Sequence, residues 1–230
     1  TPHANGEYVY DPQVIAERIA ELQRVLDKEK IVLKLGCGCD FHMSYENIQQ
    51  AKEDPRRFSL NGMGYLLVEI PDYSVSRGLT EIFYELQLVG LIPILTHPER
   101  NPTLQADVAR MVDWLRGGVL IQVTAGSVMG TMGRKAERIA HELLANRWVH
   151  FLATDAHNTS SRPPKMHAAF ELVAKKYGSE YARLLCISNP LAAFTGAPLP
   201  PQIEPLNLYD KFKDKSWWQR VTERWAPSRD

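Results

Sequence analysis

The sequence predicts an α/β fold, a parallel sheet covered by helices, on three observations. Short apolar strands alternate with amphipathic helical stretches along most of the chain. The strands are apolar almost without interruption, the pattern of a sheet covered on both faces. Four of the five lead, on their C-terminal side, to a carboxylate or an imidazole. Right-handed crossovers then admit either a doubly wound sheet or a barrel.

The elements follow in order. Residues 11–28 open with Asp11 and Pro12, a helix start, and carry Val14, Ile15, Ile19, Leu22 and Leu26 at helical spacing. Residues 31–35 (IVLKL) and 64–70 (GYLLVEI) read as strands stopped by Gly36 and Pro71. A helix over 76–89 closes at Gly90, and a strand over 92–95 runs into Thr96-His97-Pro98. Helices over 104–116 and 132–146 precede strands over 119–123 and 149–153, and a helix over 164–176 follows. After Pro198, the prolines 200, 201 and 205 mark a stiff connector, and residues 206–225 read as a mixed-charge helix bearing Trp217, Trp218 and Trp225. That helix is expected to dock on its own domain. The division is thus a domain over 1–197 and a tail over 198–230.

Bulk properties exclude several functions. Lys plus Arg and Asp plus Glu are 27 each, so a net charge of zero argues against general affinity for nucleic acid or an anionic membrane. No apolar run approaches the roughly 18 residues of a spanning helix. Cys37, Cys39 and Cys186 are an odd set without a second pair at zinc-site spacing, which points to a reducing, cytoplasmic setting. None of them begins a Cys-x5-Arg phosphate loop, which disfavours a cysteine-nucleophile phosphatase.

The chemistry gathers at the strand ends. Asp40 and His42 follow the first strand, Glu69 closes the second, His97, Glu99 and Arg100 follow the third, and Asp155 and His157 follow the last. The C-terminal strand ends of a parallel barrel form one rim, so these groups would converge on one cavity. Carboxylates with neutral imidazoles suit manganese, iron, zinc or magnesium rather than a closed structural zinc. Arg100 and Arg162 stand just beyond the ligand strings, where guanidinium groups clamp phosphate oxygens. Taken singly, each residue also has a bland reading; Asp155 or Thr154 would serve as a helix N-cap. His141, His150 and His167 fall inside predicted elements and receive no site role.

Five strings together resemble the polymerase-and-histidinol-phosphatase (PHP) superfamily: Thr1-Pro2-His3, Glu69-Ile70-Pro71, Thr96-His97-Pro98-Glu99-Arg100, Gln122-Val123-Thr124-Ala125-Gly126-Ser127, and Thr154-Asp155-Ala156-His157 with Arg162. The nearest branch is that of the bacterial manganese-dependent protein-tyrosine phosphatases that regulate capsule and exopolysaccharide synthesis. The resemblance implies a distorted seven-stranded (β/α) barrel with two or three metal ions, manganese first and iron, zinc, magnesium or cobalt as alternatives. It implies His3, Asp40, Glu69, His97, Asp155 and His157 as ligands, Arg100 and Arg162 as phosphate-binding residues, and a metal-activated hydroxide attacking phosphorus. Asp40 stands where the family has a bridging glutamate, and His42 is an alternative donor there. The implied substrate is a phosphotyrosine protein, such as a polysaccharide-assembly tyrosine kinase. The family's opening D-x-H-x-H strand is not in this sequence, so the first strand and most of the second would be lacking. The expectation is a fragment or a cleaved chain, with a degenerate, non-catalytic module as the other reading. A phosphatase of small metabolites is the alternative within the superfamily.

Overall fold

The computed structural model describes residues 1–5, 8, 10–71 and 78–209. Among these residues, six strands form one wholly parallel sheet in sequence order, each hydrogen-bonded to the next. The elements are β1 (His3–Ala4), α1 (Pro12–Lys28), β2 (Asp40–His42), α2 (Tyr45–Glu53), β3 (Tyr65–Glu69), α3 (Leu79–Leu88), β4 (Ile92–Thr96), α4 (Pro102–Ala106), α5 (Met111–Arg116), β5 (Leu120–Thr124), α6 (Ala125–Val128), α7 (Arg134–Ala145), β6 (Phe151–Ala153), α8 (His167–Tyr177), α9 (Ser179–Arg183) and α10 (Asn189–Thr195). No helix among the described residues is long and apolar enough to cross a membrane.

Register decides which face each side chain takes. Directly paired residues of neighbouring strands share a face, and successive residues alternate. Ala4, Phe41, Leu66, Val68, Leu95, Ile121, Val123 and Leu152 therefore point one way, and all join the main buried core under the helices. The opposite face is split along its length. Tyr65, Ile94 and Phe151 form a smaller apolar cluster with Ala193. Nearer the C-terminal strand ends, this face carries His3, Asp40, Glu69 and Thr96.

Several expected elements shift. The strand over 31–35 is not formed, and β2 lies at Asp40–His42 instead. Among the described residues the apolar run has no neighbouring strand: Val32 is fully exposed, and the Gln23 side chain takes the backbone of Leu33 (2.9 Å) and Leu35 (3.0 Å). The helix over 104–116 is two helices, because Asp107 leaves helical geometry at φ −148°. Pro163 and Pro164 delay α8 to His167. α1 forms where the Asp11 cap and Pro12 require, its Asp11 carboxylate accepting from Gln13 and Val14. No α1 residue is buried, however, and Val14, Leu22 and Val25 are about half exposed. The connector packs back on the domain: Leu206 N donates to Asn146 O (2.9 Å) and Trp148 Nε1 to Leu206 O (2.9 Å). Residues 206–209 are bends rather than helix, and the rest of the predicted aromatic helix, with its three tryptophans, lies outside the described residues.

One histidine ties sheet stability to pH. His150 Nδ1 accepts the Ile121 N–H at 3.1 Å, and burial lowers the imidazole to about 4. Because the folded value lies below the unfolded one, the unfolded chain takes up the proton first as pH falls. The stabilisation is complete above about pH 6.5 and is lost progressively towards pH 4. At about 1.4 kcal/mol per pH unit, the loss is at most about 3.5 kcal/mol. Urea unfolding of parent and His150→Gln at pH 7.5 and pH 4.5 should show the variant losing less on acidification. Equal losses would exclude this origin.

Candidate metal centre

Four donors meet on the first four strands: His3 and Asp40 open the short strands β1 and β2, Glu69 closes β3 and His97 follows β4. His3 Nδ1 lies 3.6 Å from Asp40 Oδ2 and 3.3 Å from Glu69 Oε2. One ligand atom from each of the three falls within 4.8 Å of the others. His97 completes the group from the turn after β4, its Nε2 3.7 Å from Asp40 Oδ2 and 3.6 Å from Glu69 Oε1. His97 adopts left-handed backbone geometry, φ 37° and ψ 46°, which is uncommon for any residue other than glycine. His42 sits two residues beyond Asp40, in register with Glu69.

The donor chemistry fits a divalent cation. Two carboxylates share the space with two imidazoles, and His3 Nδ1 is buried without a hydrogen-bond partner. A cation bound among them would offset carboxylate repulsion and give that nitrogen a partner. Burial alone would lower the His97 imidazole, but the Asp40 and Glu69 carboxylates outweigh it and raise it, with Arg100 opposing. The cysteines offer no comparable donors. Cys39 is buried and its thiol is pushed up to about 12, and burial raises Cys186 to about 11. All three cysteines are free.

Asp155 and His157 are not in that group; the structure engages Asp155 with the arginines. Arg100 Nη1 donates to Asp155 Oδ2 at 2.6 Å, and Arg162 Nη2 donates to the same oxygen and to the Asp155 carbonyl at 3.0 Å. Asp155, like His97, follows its strand with positive φ, here 49°. His157 Nδ1 lies 2.9 Å from the Asp155 carbonyl oxygen, and its ring is about half exposed. The loop between them is closed by Asn158, whose Oδ1 accepts from Ser160 N (3.0 Å) and Arg162 N (2.9 Å). Two guanidinium groups are thereby held side by side on one carboxylate oxygen. That spacing suits two oxygens of one phosphate.

A family model described as capsular polysaccharide synthesis, CpsB/CapC, matches residues 1–195. The chain belongs to this family. Three relatives illustrate the similarity. The tyrosine-protein phosphatase YwqE of Bacillus subtilis is 33% identical over 186 residues, covering 80% of this chain and 73% of that protein. A putative tyrosine-protein phosphatase, CapC of Staphylococcus aureus, is 28% identical over 220 residues, covering 95% of this chain and 84% of that one. The tyrosine-protein phosphatase CpsB of Streptococcus pneumoniae is 26% identical over 192 residues, covering 80% and 78%. A solved chain from the crystal structures of YwqE and CpsB, described as unique metal-dependent tyrosine phosphatases, superposes with a TM-score of 0.81. Its identity is 30%, over 89% of this chain and 81% of that one.

In this CpsB/CapC chain, sequence reasoning left several supports without a role. The Thr96 hydroxyl lies 3.1 Å from Val68 O and 3.3 Å from Asp40 Oδ1, so it steadies a proposed ligand. Asn101 is buried and bridges two strand ends. Its Nδ2 donates to Ile70 O (3.2 Å) and Pro71 O (3.3 Å), while its Oδ1 caps α4. An asparagine followed by proline was the available signal, since it marks a helix cap. Nothing local announced the reach back to Ile70.

Proposed function

We propose that this chain is a metal-dependent protein-tyrosine phosphatase acting in capsule and exopolysaccharide synthesis. The observation that carries the reading is the meeting of His3, Asp40, Glu69 and His97 from four adjacent parallel strands, on the side of the sheet that also bears the Arg100–Asp155–Arg162 pairing. His3, Asp40, Glu69 and His97 would hold the cations, with Asp155 and His157 as further ligands, and manganese is the metal of choice at two or three positions. Divalent ions held there would supply acidified water and neutralise charge on a phosphate ester.

The remaining work falls to the chain's own residues. Arg100 and Arg162 bind and orient the phosphate through charge-assisted hydrogen bonds, and their fixed cations favour the charge that builds on the equatorial oxygens. Thr96 and Asn101 keep the strand-end turns from relaxing. The reading takes the six strands as part of a distorted seven-stranded (β/α) barrel, 1–197 as the phosphatase domain and 198–230 as its tail. It places the protein in the cytoplasm, with the phosphotyrosines of a polysaccharide-assembly kinase as substrate. The names of the relatives and the metal-dependent structural neighbour support this assignment.

The test is hydrolysis of a phosphotyrosine peptide with added manganese against a chelator control. Turnover should appear with manganese, vanish with the chelator, and return on adding manganese back. Turnover indifferent to the chelator, or none with any of manganese, cobalt, zinc or magnesium, would overturn the reading.

A further inference from the structure

The Gln122–Ser127 string belongs to neither the donor group nor the phosphate clamp, and Glu99 is left over from the His97–Arg100 turn. The structure joins the two. Glu99 is completely buried, and its Oε1 accepts from Thr124 N at 3.0 Å and from Ser127 Oγ at 2.7 Å. Thr124 and Ser127 are themselves completely buried. The Glu99 carbonyl accepts from Gln105 Nε2 at 2.7 Å, which fastens the same residue to α4.

We propose that Glu99 is a positioning residue, anchored on the end of β5 so that His97 and Arg100 keep their places on either side of it. The role rests on the phosphatase reading above. Pro98–Arg100 is a single 3-10 turn, entered through the left-handed His97. So short a turn has little stability of its own and cannot set the aim of two long side chains. Its fixed points are external: His97 N donates to Gln122 O at 2.9 Å, Asn101 holds the end of β3, and Glu99 grips β5 from the middle. His97 points to the carboxylates of Asp40 and Glu69, and Arg100 to Asp155. One buried side chain therefore sets a metal donor and a phosphate cation relative to each other. A carboxyl group is an expensive occupant for such a place, since burial pushes it up against two donors that favour its charge. An apolar residue would fill the volume but could not engage the Thr124 N–H and the Ser127 hydroxyl together.

The experiment compares Glu99→Ala, Glu99→Gln and Ser127→Ala in the full chain. It measures manganese-dependent kcat and KM on a phosphotyrosine peptide, inhibition by inorganic phosphate, and thermal unfolding. Glu99→Ala should lower kcat about a hundredfold, the cost of displacing reacting groups by an ångström or so, and weaken phosphate inhibition about tenfold. Glu99→Gln keeps an oxygen for the same two donors and should recover most of kcat. Ser127→Ala, which touches neither donor group nor clamp, should shift kcat and phosphate inhibition in the same direction by roughly threefold to tenfold. If Glu99→Ala does not fold, Ser127→Ala decides. Folded variants with lowered melting temperatures and the parent's kcat, KM and phosphate inhibition would reduce Glu99 to a packing residue and overturn the proposal. A parent without metal-dependent turnover overturns the phosphatase reading and the positioning role with it.

Discussion

Replacing His97 with glycine is expected to lower manganese-dependent turnover by about 10^3-fold or more, roughly 4 kcal/mol of transition-state stabilisation, with little loss of fold stability. Two terms oppose each other in stability. The imidazole is well covered and lies within 3.7 Å of both Asp40 and Glu69, so its removal costs packing and electrostatic contacts. Against that, His97 sits at φ 37°, and releasing a side chain from left-handed geometry returns about 1 kcal/mol. His97→Ala keeps the strain and loses the contacts, so it should be less stable than His97→Gly by about 1 kcal/mol, and equally inactive. Steady-state kinetics, calorimetric titration of manganese and urea unfolding measure the three quantities. Turnover retained in either folded variant would remove His97 from the donor set. Equal stability of the two variants would show that the turn relaxes and stores no strain.

The pattern behind this prediction was largely legible in the sequence. Alternation of apolar strands with amphipathic helices implied parallel strands, and the parallel arrangement brings C-terminal ends to one rim. Glu69, His97 and Asp155 each follow an apolar run, so their placement at strand ends could be read directly. The strand holding Asp40 could not. β2 has only three residues, two of them polar, whereas 31–35 has the higher strand propensity and pairs with no strand among the described residues. Pairing, not propensity, makes a strand, and partners are not written locally. The same limit hid the Glu99 anchor, whose donors lie 25 and 28 residues away in the chain. It also hid the bond between Arg100 and Asp155. Residue types at strand ends announce that a carboxylate and two arginines share a rim, but not which of them touch.

The contacts of that rim carry the second large effect. Arg100→Ala and Arg162→Ala should each lower kcat/KM about 10^2- to 10^3-fold, the usual cost of deleting a preorganised donor to developing charge. Both should weaken inhibition by inorganic phosphate while leaving manganese affinity close to the parent's, which separates them from the loss of a ligand such as His97. Lysine should not restore Arg100. Its ammonium offers a point charge on a flexible stem, whereas the planar guanidinium presents parallel donors that match a pair of phosphate oxygens. The two arginines should also prove coupled. Each grips Asp155 Oδ2, Arg100 at 2.6 Å, so removing one frees the other to settle on the whole carboxylate. The double variant should therefore fall short of the product of the single losses, with a coupling of about 1 to 2 kcal/mol. Asp155→Asn tests the same geometry from the other side. Asparagine tolerates the positive φ of 49°, so the turn survives, but the charge that holds the two cations together is gone. Because Asp155 is also a proposed ligand, the comparison is made at saturating manganese, where phosphate inhibition should still weaken along with turnover, since two unpaired guanidinium groups repel and no longer face one oxygen. Strictly additive arginine losses, or phosphate inhibition unmoved by Asp155→Asn, would show that the clamp does not depend on the shared carboxylate.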